Sequence, residues 1–414
     1  MVRTLSANAK IITGGVTSPK GFLASGVCCG IKKSGKKDLA LLYSQVPAEA
    51  SGAFTTNSFA ASPVRVSKRH LTARLHQAII VNSGNANCAN GRVGDRDAER
   101  MAHLAAKVLF LADEAVLVAS TGIIGERLPI EKIGKAMPEL VEGLSSRNGP
   151  LFAQTIITTD TVAKECCVKA SIDGSLVTIG GAAKGVGMIY PLLETARHAT
   201  MLCFITTDAN ISPSMLDRAL GEAADGSFNM ISVDGDMSTN DSLFILANAL
   251  AGNKRIERAD KYFIVFKDAL RLLAQNLAVQ IVSDGEGATK IIEVTVKGAS
   301  HEVDARNIAR KITASNLLKT CVYGEDPNWG RVIASMGASG SRFDPSKVDV
   351  YFSGTKVLAH GSRVEGINKG ELRKLFKKDT IYIKVDLKSG SQSATAWTCD
   401  LSEEYVQINS AYST

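Results

Sequence analysis

Residues 201–205 read MLCFI, an unbroken apolar run between a small-residue step, Ala199-Thr200, and the polar stretch TTDAN. A short apolar run with small and polar residues at its ends is the pattern of a buried strand, and a buried strand needs other layers laid over it. A glycine-spaced loop with a single lysine, residues 184–191 (KGVGMIYP), leads toward it. A threonine at the mouth of such a strand has one notable chemical option. If the chain cut itself between residues 199 and 200, Thr200 would hold a hydroxyl nucleophile beside its own α-amine as base, the arrangement of a self-processed acyl-transfer enzyme.

The rest of the chain alternates strand-like and helix-like segments without a low-complexity linker or a repeat, which predicts an α/β fold. Residues 77–82 (QAIIVN) predict a strand feeding the polar loop SGNANCANG. A helix then starts at Asp95, with Ala98, Met101, Ala105 and Val108 at helical spacing. Residues 115–119 (AVLVA) predict a strand that delivers Ser120, Thr121 and Gly122 in a loop. Residues 166–172 and 175–179 read as a hairpin joined at Asp173-Gly174, and Ser212-Pro213 opens a helix. Residues 231–240 (ISVDGDMSTN) read as a loop dense in hydroxyls and carboxylates. Beyond it come a long helix over 261–279, a turn at 284–287 (DGEG), a strand at 291–296 and a helix at 304–314. A rigid turn at 324–331 (GEDPNWGR) and a tail, 407–414 (QINSAYST), complete the chain.

At 414 residues the chain has length for a large core and for more than one lobe. Its 36 glycines and 6% aromatic content suit an α/β enzyme rich in tight turns. The net charge of +7 suits anionic small substrates. Its densest basic segment, KGELRKLFKK at 369–378, has the pattern of a solvated helix face and lacks the aromatic interleaving of a nucleic-acid site. No CxxC spacing occurs among the 8 cysteines, which argues against a zinc ribbon or a redox pair. Adjacent cysteines inside apolar runs, such as KECCVKASI at 164–172, read as small buried hydrophobes in a reducing compartment. The first residues lack the apolar core of a signal peptide, and no stretch reaches the roughly 18 to 20 apolar residues of a membrane span. The expectation is a cytoplasmic protein without a membrane or nucleic-acid partner.

Several pieces invite chemistry. GIKKSGKK at 30–37 comes near a phosphate-binding loop, but lysine stands where serine or threonine would hold magnesium, and a strand-like segment follows where a helix should open. The glycines of 181–187 match neither that loop nor the dinucleotide order. Asp234, Asp236 and Asp241 lack the closing glutamate of a calcium loop and read as a hydrogen-bonded turn. The 6 histidines show no ligand spacing, so no metal is expected; His198 stands out only for lying two residues before Thr200. GxSxG is absent. Thr121-Gly122 at a strand end fits an oxyanion hole, where a hydroxyl and a backbone N–H converge on a developing charge. Thr200 remains the best nucleophile.

Read together, FTTN at 54–57, VNSGNAN at 81–87, ASTGIIG at 119–125, TTDT at 158–161, KGVGMI at 184–189 and HATMLCFITTDA at 198–209 resemble the ornithine acetyltransferase family. This family is also called the bifunctional glutamate N-acetyltransferase of arginine biosynthesis. VDGDMSTND, DGEGATK, GEDPNWGR and the tail with Asn409 and Thr414 extend the resemblance nearly end to end.

The resemblance implies stacked β-sheets flanked by helices and self-cleavage at Ala199-Thr200 into an alpha chain (1–199) and a beta chain (200–414). Two of each would assemble as a heterotetramer. It implies acetyl transfer from N-acetylornithine to glutamate through an acetyl-threonine at Thr200, with Thr121 and Gly122 as the oxyanion hole. Thr158, Lys184, Thr200, Glu286, Asn409 and Thr414 match the substrate-contacting positions. No cofactor is implied, and acetyl-CoA is left open as a co-substrate. One departure is plain. The family commonly has a few residues of the type PNMAT here, whereas Pro191 is followed by LLETARHAT, a loop about five residues longer, which costs little closure entropy. A related self-processing aminopeptidase or amidase, passing the acyl group to water, is the nearest alternative. A non-catalytic binding protein on the same scaffold is the other.

Overall fold

The structure, a computed structural model, describes residues 9–73, 75–193 and 201–411. Its strands are β1 (Ala9–Ile12), β2 (Phe22–Val27), β3 (Leu39–Phe54), β4 (His76–Asn85), β5 (Val116–Ile123), β6 (Lys164–Ile172), β7 (Ser175–Lys184) and β8 (Leu202–Thr207). They continue as β9 (Ile231–Ser232), β10 (Ser242–Ala247), β11 (Ile291–Ala299), β12 (Asp349–Phe352), β13 (Thr355–Ala359), β14 (Ser362–Arg363), β15 (Thr380–Asp386) and β16 (Gln392–Cys399).

The first sheet runs β1-β6-β7-β8-β10-β3-β4-β5, with β2 also paired to β3. Strand β3 is long enough to serve two layers: its residues 49–54 pair with β10, and its residues 39–44 pair with β2 and β4. The period-2 alternation of strands then sorts side chains between layers. Ile79 and Val81 of β4, Leu117 and Ala119 of β5, Leu202 and Phe204 of β8, and Phe244 and Leu246 of β10 share one buried cluster between the two layers. Phe204 and Phe244 stack there with ring centroids 5.8 Å apart. Each such buried aromatic contributes about 1.5–3 kcal/mol.

The alternate residues face helices. Ala78, Ile80, Val116 and Val118 pack on Met101 and Ala105 of the helix Gly91–Leu109 and on Ile133 and Leu140 of the helix Ile130–Glu142. Cys203, Ile205, Leu243 and Ile245 pack in a cluster with Leu216 and Leu220 of the helix Pro213–Asp225 and Leu273 and Leu277 of the helix Lys261–Ser283. Stacked sheets with helices on both outer faces are the expected α/β arrangement. The apolar run at 201–205 is at its centre, and β8 is a buried strand.

The second sheet runs β14-β13-β12-β15-β11-β16-β9 and carries the helix Glu302–Thr313 against β11 and β16. The long helix Lys261–Ser283 contacts both sheets. Among the described residues no helix is long and apolar enough to cross a membrane.

Several local expectations hold. Strands β6 and β7 form the hairpin, with Asp173 (φ 52) and Gly174 (φ 76) supplying the paired positive angles of a tight type I′ turn. The basic segment is a helix, Lys369–Phe376, capped by Asn368 and burying only Leu372 and Phe376.

Five others need correction. Thr121 and Gly122 lie in β5, not in a loop after it, because β5 stays paired in parallel with β4 through Ser83 and Gly84. The helix expected from Asp95 begins at Gly91, and the tail is largely helical, over Glu403–Ala411. The helix Trp329–Gly337 starts inside GEDPNWGR. The loop at 231–240 begins as β9, parallel to β16 in the second sheet, and ends at β10 in the first, so it ties the two sheets together.

Candidate active site

Gly122 could not be another residue without moving β4. Its φ is +134°, and a Cβ there would meet the carbonyl carbon of Gly84 at 2.3 Å and the nitrogen of Asn85 at 2.5 Å. Two backbones that close leave Thr121 and Gly122 at the rim of a cavity of about 130 Å³. Asn240 holds this end of β5 in place: its side-chain amide donates to the carbonyls of Ser120 at 2.9 Å and of Ala86 at 2.5 Å.

Lys184, the last residue of β7, extends into the same cavity and is 9% exposed. Its ammonium donates to Thr158 Oγ1 at 2.8 Å and to Thr121 Oγ1 at 3.3 Å, with Asp160 Oδ2 at 3.8 Å. Asp160 is the hub behind it. Oδ1 accepts from Lys164 Nζ and from the Gly185 N–H, both at 2.7 Å, and Oδ2 accepts from the Thr158 N–H at 3.1 Å. Burial opposes ionisation of Asp160, but Lys184 and Lys164 outweigh it and bring the carboxyl down to about 2. The TTDT segment therefore fixes where the lysine ammonium sits.

Glu286 lines the same cavity. Its carboxylate accepts from Thr159 Oγ1 at 3.0 Å and from Asn409 Nδ2 at 2.9 Å, the latter brought by the C-terminal helix. A Cβ on Gly187 would meet Glu286 Oε2 at 2.5 Å, so a larger residue there would displace the Glu286 carboxylate. The turn expected around Asp234 is present. Its carboxylate accepts the N–H groups of Met188 at 2.5 Å, Ile189 at 2.9 Å and Asp236 at 3.1 Å. Asp241 does not join that turn and lines the cavity.

Thr121, Gly122, Thr158, Lys184, Glu286 and Asn409 thus line one cavity, and Met201 lines it too. Ala199, Thr200 and Thr414, with His198, lie outside the described residues. The glycine loop GIKKSGKK is a structural turn. The Asp38 carboxylate collects the N–H groups of Cys29, Ile31 and Lys32, and burial pulls the Lys32 ammonium down to about 8 while it donates to the carbonyls of Lys37, Thr155 and Ile157. Residues that sequence reasoning missed are Thr159, Asp160, Ser238 and Asn240, and Asp241 in any role beyond a turn. Their one signal was position inside TTDT and VDGDMSTND.

The chain is an α/β enzyme whose cavity presents a lysine and a glutamate to a small charged molecule. The ArgJ family profile matches residues 23–414. The arginine biosynthesis bifunctional protein ArgJ of Dehalococcoides mccartyi (strain CBDB1) is 50% identical over 403 residues, covering 97% of this chain and 98% of that protein. The protein of the same name from Symbiobacterium thermophilum is 46% identical over 405 residues, covering 97% and 99%. A crystal structure of arginine biosynthesis bifunctional protein argJ from Bacillus halodurans is 40% identical, covers 50% of this chain and 98% of its own, and superposes with a TM-score of 0.49. The chain belongs to the ArgJ family.

Proposed function

We propose that this chain transfers an acetyl group from N-acetylornithine to glutamate through an acetyl-threonine at Thr200, releasing ornithine and N-acetylglutamate in arginine biosynthesis. The observation that carries this reading is the convergence of six residues, spread from 121 to 409 in sequence, on one cavity. Their chemistry suits the substrates. Lys184, with Thr158, pairs with an amino-acid carboxylate, and Glu286, set by Thr159 and Asn409, pairs with a side-chain ammonium. Thr414 adds a substrate contact from the end of the chain.

In this reading the chain first cuts itself between Ala199 and Thr200, giving an alpha chain of 1–199 and a beta chain of 200–414 that assemble two and two. Thr200 Oγ then attacks the acetyl carbonyl with the freed α-amine as base. Thr121 and Gly122 stabilise the oxyanion, worth about 2.7–4 kcal/mol per donor. The C–N bond breaks, ornithine leaves with the hydroxyl proton, and glutamate collects the acetyl group in a second step, a ping-pong sequence. No cofactor takes part. A cytoplasmic location belongs to the same reading, supported by all eight cysteines being free.

The test is direct. Purified protein should run as two fragments on a denaturing gel and convert N-acetylornithine plus glutamate to N-acetylglutamate, and Thr200→Ala should stay as one band and transfer nothing. A full-length band that still transfers acetyl groups would remove the cleavage requirement. Release of free acetate in place of transfer would favour the aminopeptidase or amidase alternative. Glutamate offered with acetyl-CoA and no acetylornithine decides whether that thioester is also a donor.

A further inference from the structure

The cavity holds one acid that the scheme above leaves idle. Asp241 immediately precedes β10 and is 2% exposed. Its backbone carbonyl accepts from the Thr55 N–H at 3.2 Å, but its Oδ2 is buried without a hydrogen-bond partner among the described residues. An unpaired buried carboxyl oxygen is costly, and at a ligand site the missing partner is one that the ligand brings. The neighbouring acids are already engaged: Asp160 by Lys164, Gly185 and Thr158, and Glu286 by Thr159 and Asn409. Among the described residues, Lys184 and Glu286 are the other titratable groups on the cavity wall, and Lys184 is the cation whose charge Asp241 feels.

Resting on the acetyl-transfer reading, an acceptor amino acid brings a carboxylate and an α-ammonium on the same carbon. With the carboxylate at Lys184, the ammonium falls among the groups beside that lysine. An ammonium has no lone pair and cannot attack until it gives up a proton. We propose that Asp241 is the proton acceptor for the incoming amino acid: Oδ2 takes one proton from the α-ammonium of glutamate, and the freed amine attacks the acetyl carbonyl. The C–N bond forms, the C–O bond to the threonine breaks, and a second amine proton passes to the threonine oxygen. In the first half-reaction the same carboxyl, then protonated, gives its proton to the departing amine of ornithine, which leaves as an ammonium. Protons balance over the cycle. Burial pushes the Asp241 carboxyl up, against the opposing pull of Lys184, which is the direction a proton acceptor for an amine requires.

The experiment compares two acceptors on the full self-cleaved protein and its Asp241→Asn variant at neutral pH. Glutamate arrives as an ammonium, whereas hydroxylamine is largely neutral and needs no base. The acetyl-enzyme, followed by mass on the fragment beginning at Thr200, should form from N-acetylornithine in both proteins, more slowly in the variant because ornithine then leaves without the proton of Asp241. In the variant, discharge to glutamate should fall about 100-fold or more, discharge to hydroxylamine should be unchanged, and Asp241→Glu should recover part of the glutamate rate. Wild-type discharge to glutamate in Asp241→Asn overturns the assignment. So does an equal loss with both acceptors, which marks a structural role, and so does a variant that forms no acetyl-enzyme. If Asp241→Asn stays uncut, the wild-type protein decides. Its discharge to glutamate should level off well below the pH at which the amino group itself titrates, and a rate that tracks the amine overturns the proposal. Absence of acetyl-enzyme from the wild type would instead remove the acetyl-transfer reading on which the proposal rests.

Discussion

Gly122 and Gly84 face each other across the β4–β5 ladder with so little room that a Cβ on Gly122 would stand 2.3 Å from the Gly84 carbonyl carbon. Gly122→Ala must push the two strands apart at the rim of the cavity, and its φ of +134° adds backbone strain. Turnover should fall by about 10²–10³, as for loss of an oxyanion donor. Gly134→Ala is the control. It sits in the helix Ile130–Glu142, where a Cβ would meet Leu104 Cδ1 at an ordinary 3.5 Å. It should raise the melting temperature through a gain of about 0.5–1 kcal/mol and leave the rate unchanged. Steady-state rates and thermal melts of both variants check the pair.

Lys164 is fully buried and donates to Asp160 at 2.7 Å and to Asp284 at 2.6 Å. Lys164→Met removes the cation and leaves both carboxylates in place, so denaturant unfolding should show a loss of about 3–5 kcal/mol. The pH dependence follows from Asp160. Its folded-state value is depressed, so its contribution is complete above the ordinary value of 3.8 and is lost as pH falls toward about 2. Without Lys164 that depression shrinks, and the acid-unfolding midpoint by circular dichroism should move to higher pH. An unmoved midpoint would contradict this account.

Asn240 is 6% exposed, and its side-chain amide donates to two buried carbonyls. Asn240→Ala should cost about 1–3 kcal/mol in stability. Because one of those carbonyls belongs to Ser120, next to Thr121, the variant should also lose turnover. A melt and a rate measured on the same preparation separate the two effects. Full activity in a destabilised protein would confine Asn240 to a structural role.

Phe110 closes the helix Gly91–Leu109 in the left-handed conformation, φ 57, while its side chain is 96% exposed. A glycine makes that turn without strain, and the ring buries nothing to offset its removal. Phe110→Gly should therefore gain about 0.5–1 kcal/mol, read as a higher melting temperature with unchanged activity.

Much of this architecture was legible from periodicity. β8 showed itself as an apolar run, and the β6–β7 hairpin as two strands around Asp173-Gly174. Thr121-Gly122 read as a loop because a glycine after a strand usually marks a turn. Only a parallel partner more than thirty residues upstream, Gly84, keeps it in the ladder. The C-terminal helix Glu403–Ala411 buries none of its residues, so no apolar stripe announced it, and Asn409 was identifiable only through family motifs. Asp241 lies at the cavity because Ser242 pairs with Leu202 across a distant parallel ladder, a relationship that no local spacing encodes.

Strands from before residue 194 and after residue 200 interleave in the first sheet: β8 is hydrogen-bonded to β7, and β10 is hydrogen-bonded to β3. A cut between residues 199 and 200 therefore alters connectivity and leaves cohesion intact. Pulling the pieces apart means unzipping two ladders and opening the core between the layers. Such fragments would melt in a single transition, would not part on dilution, and would each expose an open sheet edge if made alone. Under the proposed cleavage, the precursor is the form in which the molecule folds, and the cut would be an edit made to a finished object.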